Sequence, residues 1–310
     1  VFIHADMEHR AERIVRVYGE TKQTPQKRLT DKDAKRKVYY KHYTNRNWGE
    51  AQNYHLCLNS GLIGVEKCVD IIVDVAKGIE ADTLMTMTQI IGDELKNPTV
   101  KLVALSGPTH AEEVARDLPT FIVSACEDEQ AAKLVQEAFA NTCLRAYTNS
   151  DVLGVELCGA LKNIMALAAG ISAGLGYGDN AMAGLITRGI AEMTRLARMM
   201  GCQEQTCAGL AGIGDLIVTA TSVHSRNNRC GMLLGQGVAP AEAVKQVGMV
   251  VEGVNALPAA MQLIRRHGVQ MPIIESVNAI INEGASPVEV SRALTSRRLQ
   301  DELNWKAHID

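Results

Sequence analysis

The sequence predicts an α/β protein in which a partial, doubly wound sheet precedes an all-α domain, with a separate α/β fragment in front. Apolar runs alternate with helical segments between residues 71 and 140, which is typical of a mostly parallel sheet covered by helices. After Thr148 the strand signals end and helical periodicity continues. The first 70 residues differ in composition, because they hold seven of the 12 aromatic residues and thirteen Lys plus Arg against nine Asp plus Glu.

We therefore expect three parts, residues 1–72, 73–149 and 150–310. A chain of 310 residues with 46% hydrophobic residues is long enough for packed cores.

The eight cysteines form no CxxC pair, and the sequence has no His cluster at metal-ligand spacing, so we expect reduced thiols and no metal site. No apolar run approaches the ~18 residues of a membrane span and no leader pattern opens the chain, which favours a cytoplasmic location. The initial Val suggests that the natural start lies upstream.

The N-terminal part begins with FIHADMEHRAERI, which predicts a short strand and then an amphipathic helix. Basic residues follow with tyrosines between them: Lys27, Arg28, Lys32, Lys35, Arg36, Lys37, Lys41 and Arg46. Such a stretch could bind nucleic acid through phosphate contacts and stacking. A solvated helix face is the commoner origin of this pattern and the interpretation that we favour, so we expect no nucleic-acid partner.

The middle part alternates strands and helices. IIVDVAKG is an apolar run that ends at Lys77 and Gly78, before a helix predicted over Thr83–Leu95. KLVALSGP predicts a second strand, which the Gly107–Thr109 turn ends before a helix over Ala111–Arg116. FIVSAC and a helix over Asp128–Ala140 complete the pattern. Ligands of such sheets bind beyond the carboxyl ends of the strands, where Lys77 and the Gly107–Thr109 turn fall.

Helical periodicity dominates the last part. Helices are predicted over residues 155–175, 185–200, 207–211, 241–247, 255–267 and 274–283. Glycines stand where left-handed C-terminal caps are expected, at Gly201, Gly248, Gly268 and Gly284.

One lysine stands in the middle of the most apolar of these helices. Leu157, Leu161, Ile164 and Leu167 recur every three or four positions around Lys162. Burial would disfavour the charged ammonium and move its pKa towards neutrality, which would make Lys162 a proton donor or acceptor. The alternative is that the lysine extends its ammonium to water from a solvated face.

A second candidate segment is GIGDLIVTATSVHSRNNR, residues 212–229. It contains an acid, Asp215, and then Ser225 and Arg226 before another apolar run. Ser before a helix predicts an N-terminal cap, and a helix start beside an arginine suits a phosphate or carboxylate. A solvated basic turn is the alternative. Together, the two segments indicate a site where a small phosphorylated substrate undergoes proton transfer.

These segments also resemble a known family. GALKNIMALAAGI, GLAGIGDLIVTATSVHSRNNR, VVEGV, VAKGIE and LSGPTHAEEVA are similar to bacterial NAD(P)-dependent glycerol-3-phosphate dehydrogenase, and the resemblance covers about residues 72–302. It implies a Rossmann-like sheet, an α-helical domain like the C-terminal domain of 6-phosphogluconate dehydrogenase, and hydride transfer between NAD or NADP and dihydroxyacetone phosphate, which yields glycerol 3-phosphate.

The resemblance also implies residue roles. Catalytic roles fall on Lys162 as the proton-transfer group and on Asn163 and Asp215 beside it. Substrate contacts fall on Lys77, Gly107, Thr109, Lys162, Asp215, Thr219, Ser225, Arg226 and Asn227. Cofactor contacts fall on Lys77, Ala111, Arg226, Val250 and Glu252. We expect a small phosphorylated substrate as ligand and a homodimer as a possible assembly.

Residues 1–72 resemble instead the C-terminal part of a cytidylate kinase-like protein of the P-loop nucleoside monophosphate kinase class. The resemblance rests on FIHADMEHRAERI and on KRKVYYKHYTNRNWGEAQNYHLCLNSGLIGVEKCVDII. It implies phosphate-neutralising roles for Arg10, Arg13, Arg28 and Arg36. The sequence contains no GxxxxGK[ST] segment, so we expect no kinase activity. The two resemblances meet near Asp70–Asp74, which predicts a chimera formed by natural fusion or by sequence misassembly.

The chain departs from the dehydrogenase pattern where the cofactor pyrophosphate should bind. No GxGxxG follows a strand, and the glycines of GLGYGDN (Gly174, Gly176 and Gly178) follow a helix. We therefore expect weak cofactor affinity and little or no turnover. A phosphate-metabolite or nucleotide-binding protein without catalysis is the alternative function, and a nucleotide kinase fragment is a less favoured one.

Overall fold

The computed structural model describes residues 2–44, 47–50, 57–59, 78–95, 101–114, 116–140, 142–222 and 224–297. The chain divides into two compact units, Val1–Val73 and Asp74–Asp310. The expected join at Asp70–Asp74, most of the strand expected from Ile71 and the candidate residue Lys77 lie outside the described residues.

The first unit begins with the strand and helix expected from its sequence. Strand β1 (Phe2–His4) pairs in parallel with β2 (Cys57–Asn59). Helix α1 (Met7–Tyr18) starts where Asp6 accepts a 2.9 Å hydrogen bond from the backbone N–H of His9. Helix α2 spans Pro25–Thr44. Among the described residues of this unit, Ala11, Ile14 and Leu29 are buried together.

The second unit opens with the α/β part, which comprises α3 (Met87–Leu95), β3 (Ala104–Ser106), α4 (Ala111–Val114), β4 (Thr120–Ala125), α5 (Glu129–Ala138) and β5 (Leu144–Asn149). Strand β4 lies between β3 and β5, parallel to β5 and antiparallel to β3. The α/β class is confirmed, but the described sheet is mixed rather than mostly parallel. The connection from β3 to β4 contains only the single-turn helix α4, whereas a parallel crossover usually needs a full helix.

The remainder of the second unit is α-helical, as expected. It comprises α6 (Val152–Gly174), α7 (Asp179–Met199), α8 (Glu204–Cys207), a π-helical turn (Leu210–Gly214), α9 (Asp215–Thr221), α10 (Arg226–Gly235), α11 (Pro240–Val247), α12 (Glu252–His267), α13 (Pro272–Asn282) and α14 (Pro287–Thr295). The caps at Gly248 and Gly268 are left-handed, with φ of 72° and 61°. Left-handed backbone suits glycine because it has no Cβ.

Helix α6 is the centre of the helical part. Each of its residues from Gly154 to Ser172 is buried, and α7, α9, α10 and α12 pack around it. By length and composition α6 could cross a membrane, contrary to the sequence expectation, but 89% of its most apolar 18-residue window is buried inside the protein. Burial of this extent is what the core helix of a globular domain shows.

Helices α6 and α10 are in backbone contact. A Cβ added at Gly170 of α6 would collide with the carbonyl oxygen of Asn228, and one added at Gly231 of α10 would collide with the carbonyl oxygen of Leu167. The absence of side chains at these glycines therefore allows the two helices to touch. This contact holds the N-terminal end of α10 beside the middle of α6.

Candidate active site

The centre of the candidate site is a buried ion pair. The ammonium of Lys162 on α6 lies 2.6 Å from Oδ1 of Asp215, the first residue of α9. It also donates a 2.8 Å hydrogen bond to the hydroxyl of Thr219. The side chains of Lys162 and Asp215 are 8% and 2% exposed. The interpretation of Lys162 as a solvated, outward-facing lysine is therefore wrong.

The local fold explains why Asp215 and Thr219 point the same way. They are four residues apart on α9, so they lie on one helix face. The hydroxyl of Thr219 donates to the backbone oxygen of Asp215 at 2.6 Å, which fixes the side-chain rotamer. Two charges removed from water are stable only when paired and hydrogen-bonded. The carboxylate and the hydroxyl together satisfy that condition for the ammonium of Lys162.

A chain of amide hydrogen bonds connects three helices beside this pair. Nδ2 of Asn227 on α10 donates to Oδ1 of Asn163 on α6 at 3.0 Å. Oδ1 of Asn227 accepts from the backbone N–H of Gly253 on α12 at 2.8 Å. Both asparagines are buried. Asn227, which sequence reasoning assigned to the substrate, therefore uses both side-chain atoms to position the helices around Lys162.

The predicted phosphate turn has the expected helix start. Ser225 is the N-cap of α10, and its hydroxyl accepts a 3.2 Å hydrogen bond from the backbone N–H of Asn228. Arg226 is the first residue of this ten-residue helix and is half-buried. A helix N-terminus with an adjacent guanidinium attracts anions through its backbone N–H groups and its dipole. The arrangement suits a phosphate group.

The Gly107–Thr109 turn lies against the same region. Gly107 has φ of 145°, and an added Cβ would be 2.9 Å from the backbone oxygen of Phe121, so only glycine fits. The hydroxyl of Thr109 donates to the oxygen of Gly107 at 3.1 Å. The next residue, His110, stacks edge-on against His224, with ring centroids 6.1 Å apart. This contact places the turn next to the segment that leads into Ser225.

The expected cofactor contacts fall on several different elements. Ala111 begins the short helix α4, Val250 is 50% exposed and Glu252 begins α12. Lys77, expected at both the substrate and the cofactor, lies outside the described residues.

Three of the four kinase-like arginines in the first unit, Arg10, Arg28 and Arg36, have protein partners. Arg10 binds both carboxylate oxygens of Asp33, at 2.8 and 2.7 Å. Arg28 donates to the backbone oxygen of Gly19 at 2.9 Å. Arg36 lies 3.4 Å from Asp33 and remains exposed, as does Arg13.

Besides Asp215 on α9, the second unit has a buried acid on α6, Glu156, which the sequence analysis did not identify. Glu156 accepts hydrogen bonds from the hydroxyls of Thr86 and Thr88 at 2.6 Å each and from the backbone N–H of Thr88 at 2.9 Å. It therefore attaches the first turn of α3 to α6. An acid within the apolar run of α6 was visible in the sequence, but its partners lie far away along the chain.

Family models match the chain in three segments. Residues 151–292 match the C-terminal domain of NAD-dependent glycerol-3-phosphate dehydrogenase, and residues 60–132 match its N-terminal domain. Residues 1–62 match the cytidylate kinase-like family. The matches to the two families overlap at residues 60–62, which precedes the join expected at Asp70–Asp74.

Several known proteins are similar to the part of the chain that matches the glycerol-3-phosphate dehydrogenase models. Glycerol-3-phosphate dehydrogenase [NAD(P)+] 2 of Lactobacillus delbrueckii subsp. bulgaricus is 60% identical over 237 residues, which cover 75% of this chain and 70% of that protein. The enzyme of Fusobacterium nucleatum is 48% identical over 249 residues, 80% of this chain and 74% of that protein. The crystal structure of the Coxiella burnetii enzyme superposes with a TM-score of 0.68 at 39% identity, over 71% of this chain and 67% of the other.

The resemblances expected from the sequence are thus confirmed for both ends of the chain. The chain belongs to the NAD-dependent glycerol-3-phosphate dehydrogenase family, a family of NAD(P)-linked oxidoreductases, and carries a cytidylate kinase-like segment at its N-terminal end.

Proposed function

We propose that the Asp74–Asp310 unit binds glycerol 3-phosphate or dihydroxyacetone phosphate and that Lys162 exchanges a proton with the C2 oxygen of this ligand. The observation that supports this most strongly is the buried Lys162–Asp215–Thr219 cluster, held against the N-terminal end of α10. The names of the relatives supply the substrate class.

The proposed role of Lys162 follows from charge. When the C2 carbonyl of dihydroxyacetone phosphate is reduced, its oxygen gains negative charge, and the ammonium donates a proton to it. In the reverse direction the amine accepts the hydroxyl proton of glycerol 3-phosphate. Asp215 and Thr219 keep the nitrogen at a fixed position in both directions, so the geometry is set before the substrate arrives. Asn163 holds the adjacent amide chain.

The proposed phosphate contacts are at the start of α10. Ser225 fixes the turn, Arg226 supplies a fork of donors and the helix dipole favours negative charge. The backbone of Asn227 belongs to the same first turn. The roles of Lys77, Gly107 and Thr109 at the substrate, and of Lys77, Ala111, Arg226, Val250 and Glu252 at the cofactor, remain predictions.

The residues present do not fit the pyrophosphate of NAD or NADP. Family members bind it at a glycine-rich turn between a strand and a helix. In this chain the glycine-rich segment joins α6 to α7, and Gly178 is the N-cap of α7 without a side-chain cap. The next residue, Asp179, places a negative charge at this helix start, which would repel a phosphate. We therefore propose that the isolated chain turns over slowly or not at all.

This mismatch favours one alternative function, which is binding of a phosphorylated metabolite without catalysis. The helix start at Ser225 and Arg226, where the phosphate is proposed to bind, is formed in the described residues, whereas the sequence contains no GxGxxG segment. A nucleotide kinase activity is less favoured, because the sequence has no phosphate-binding loop of the P-loop type.

Titration calorimetry of the full chain with glycerol 3-phosphate and, separately, with NADH tests the proposal. We expect binding of glycerol 3-phosphate that Arg226→Ala weakens at least tenfold, and little binding of NADH. The exposed Lys245→Ala variant is the charge-matched control and should bind like the unaltered chain. Absence of glycerol 3-phosphate binding would refute the proposed function.

Oxidation of NADH with dihydroxyacetone phosphate measures whether the chain retains dehydrogenase turnover. A rate that Lys162→Ala abolishes would show that the chain is a working dehydrogenase and that the proposed loss of turnover is wrong. Binding of glycerol 3-phosphate with no such rate would agree with the non-catalytic alternative.

We also propose a cellular location and an oligomeric state. A cytoplasmic location is supported by free thiols at the described cysteines 126, 143, 158, 202, 207 and 230. A homodimer remains a prediction, and sedimentation equilibrium of the full chain would test it.

A further inference from the structure

Two buried thiols, those of Cys158 and Cys207, lie in contact close to the Lys162–Asp215 pair. The sulfur of Cys158 on α6 is 3.5 Å from the sulfur of Cys207 on α8, and the two residues are 1% and 0% exposed. Cys158 is one helical turn before Lys162. Cys207 is separated from Asp215 only by the π-helical turn and its short lead-in.

We propose that Cys158 and Cys207 form an oxidisable dithiol whose reversible disulfide alters the Lys162–Asp215 pair. The geometry supports a covalent bond between these two residues rather than to another thiol, because their sulfurs already touch. A disulfide bond is about 2.05 Å long, so oxidation would bring the two sulfurs about 1.5 Å closer.

The two thiols differ in reactivity. The hydrogen bond from Cys158 lowers the pKa of Cys207, and the same bond together with burial raises the pKa of Cys158. The thiolate is the nucleophile in thiol chemistry, which assigns that role to Cys207. Burial raises the pKa of the nearby Cys202 to about 12, so that residue remains a thiol.

Hydrogen peroxide is the proposed oxidant. The thiolate of Cys207 attacks one peroxide oxygen and the O–O bond breaks, which gives a sulfenic acid and a hydroxide ion. The hydroxide takes up the proton that the thiol of Cys207 released on ionisation, so one water forms. The sulfur of Cys158 then displaces the hydroxyl group, which leaves with the thiol proton as a second water. Two sulfurs lose one electron each and the peroxide gains both. An external dithiol reverses the reaction.

Access requires only a local opening. Helix α8 is a four-residue helix whose outer residues, Glu204 and Gln205, are exposed. A helix of one turn has little stability of its own, and local openings generally cost less free energy than global unfolding. Peroxide is close to water in size and could reach Cys207 through such an opening.

A backbone contact would transmit the change to the site. A Cβ added at Gly212 would collide with the carbonyl group of Cys207, so the π-helical turn rests directly on this residue. Displacement of Cys207 towards α6 would therefore move the turn that ends at Asp215. On the other side of the pair, Cys158 and Lys162 share one face of α6.

The test compares the full chain before and after peroxide treatment by peptide mapping and amide hydrogen exchange. We expect a Cys158–Cys207 linkage in the unaltered chain and in Cys230→Ala, which removes a buried thiol on α10, and none in Cys158→Ala or Cys207→Ala. Exchange across residues 210–221 should change only in the proteins that form the linkage, and dithiothreitol should restore it. Failure to form this linkage, or a linkage without any change in exchange, would overturn the inference.

One further readout rests on the proposed function. Oxidation should weaken binding of glycerol 3-phosphate at least fivefold in the unaltered chain and should leave Cys207→Ala unchanged. Equal affinity before and after oxidation would refute coupling to the site. If the reduced chain binds no glycerol 3-phosphate, the proposed function fails, while the linkage and the exchange still decide the fate of the dithiol.

Discussion

Replacement of Lys162 and Asp215, singly and together, separates the stability of the buried ion pair from its proposed function. Their charged atoms are 2.6 Å apart and their side chains are 8% and 2% exposed, so removal of one residue takes the ion-pair partner away from the other buried charge. That loss destabilises a protein by about 3–5 kcal/mol. Lys162→Met and Asp215→Leu should each lower the free energy of unfolding by this amount.

The double variant should recover most of the loss, because two apolar side chains of similar volume need no partner. Replacement of a buried pair by apolar residues is often neutral or stabilising by about 1–4 kcal/mol. The double variant should nevertheless bind glycerol 3-phosphate poorly, since Lys162 and Asp215 are both proposed substrate contacts. From the single variants to the double variant, stability would then recover while binding stays weak.

Urea unfolding of the full chain, followed by far-ultraviolet circular dichroism, measures these differences. The control is Lys133→Met on α5, which removes an exposed ion pair with Glu129 and should have no measurable effect. The reasoning would be refuted if the single variants matched this control, or if the double variant lost the sum of the two single losses.

Three further predictions concern packing and buried acids. Gly231→Ala should destabilise the chain by about 1–3 kcal/mol, since its Cβ meets backbone, whereas Gly184→Ala, with open space on α7, should stabilise it by about 0.4–1 kcal/mol in the same urea assay. Burial raises the pKa of Glu192 from 4.5 to about 8, so the folded chain binds this proton more tightly than the unfolded chain. The free energy of unfolding should therefore fall as the pH rises from 4.5 to about 8, and Glu192→Gln should flatten that slope. Glu156→Ala should speed amide exchange at Thr88, whose N–H would lose its acceptor; unchanged exchange would contradict that role.

The sequence predicted the helical part well because its signals are local. The three-to-four spacing around Lys162 gave α6, and Ser225 gave the start of α10, since a side-chain cap acts within one helical turn. The glycine caps at Gly248 and Gly268 were predictable for the same reason. The direction of β3 was not, because it depends on the length of the helix that connects it to β4 rather than on the strand itself.

One contact of the candidate site was predicted from the sequence, that of Asp215 with Lys162, and the structure shows this contact as an ion pair. The family resemblance assigned Lys162, Asp215 and Ser225 to one site. It also assigned Asn227 to the substrate, and that role stays a prediction; in the fold its side-chain amide bonds Asn163 and the backbone N–H of Gly253. Hydrogen-bond partners of this kind are far apart along the chain, so no local pattern reveals them.

The sequence by itself determined the family, the helical core, the candidate lysine and the missing glycine-rich turn, because each of these is written in residue types and short spacings. Only the tertiary structure decided that the ammonium of Lys162 faces a carboxylate rather than water, and that Cys158 touches Cys207. Those facts depend on how closely helices approach one another. The approach of α6 and α10 is set by glycines whose importance appears only when two backbones meet.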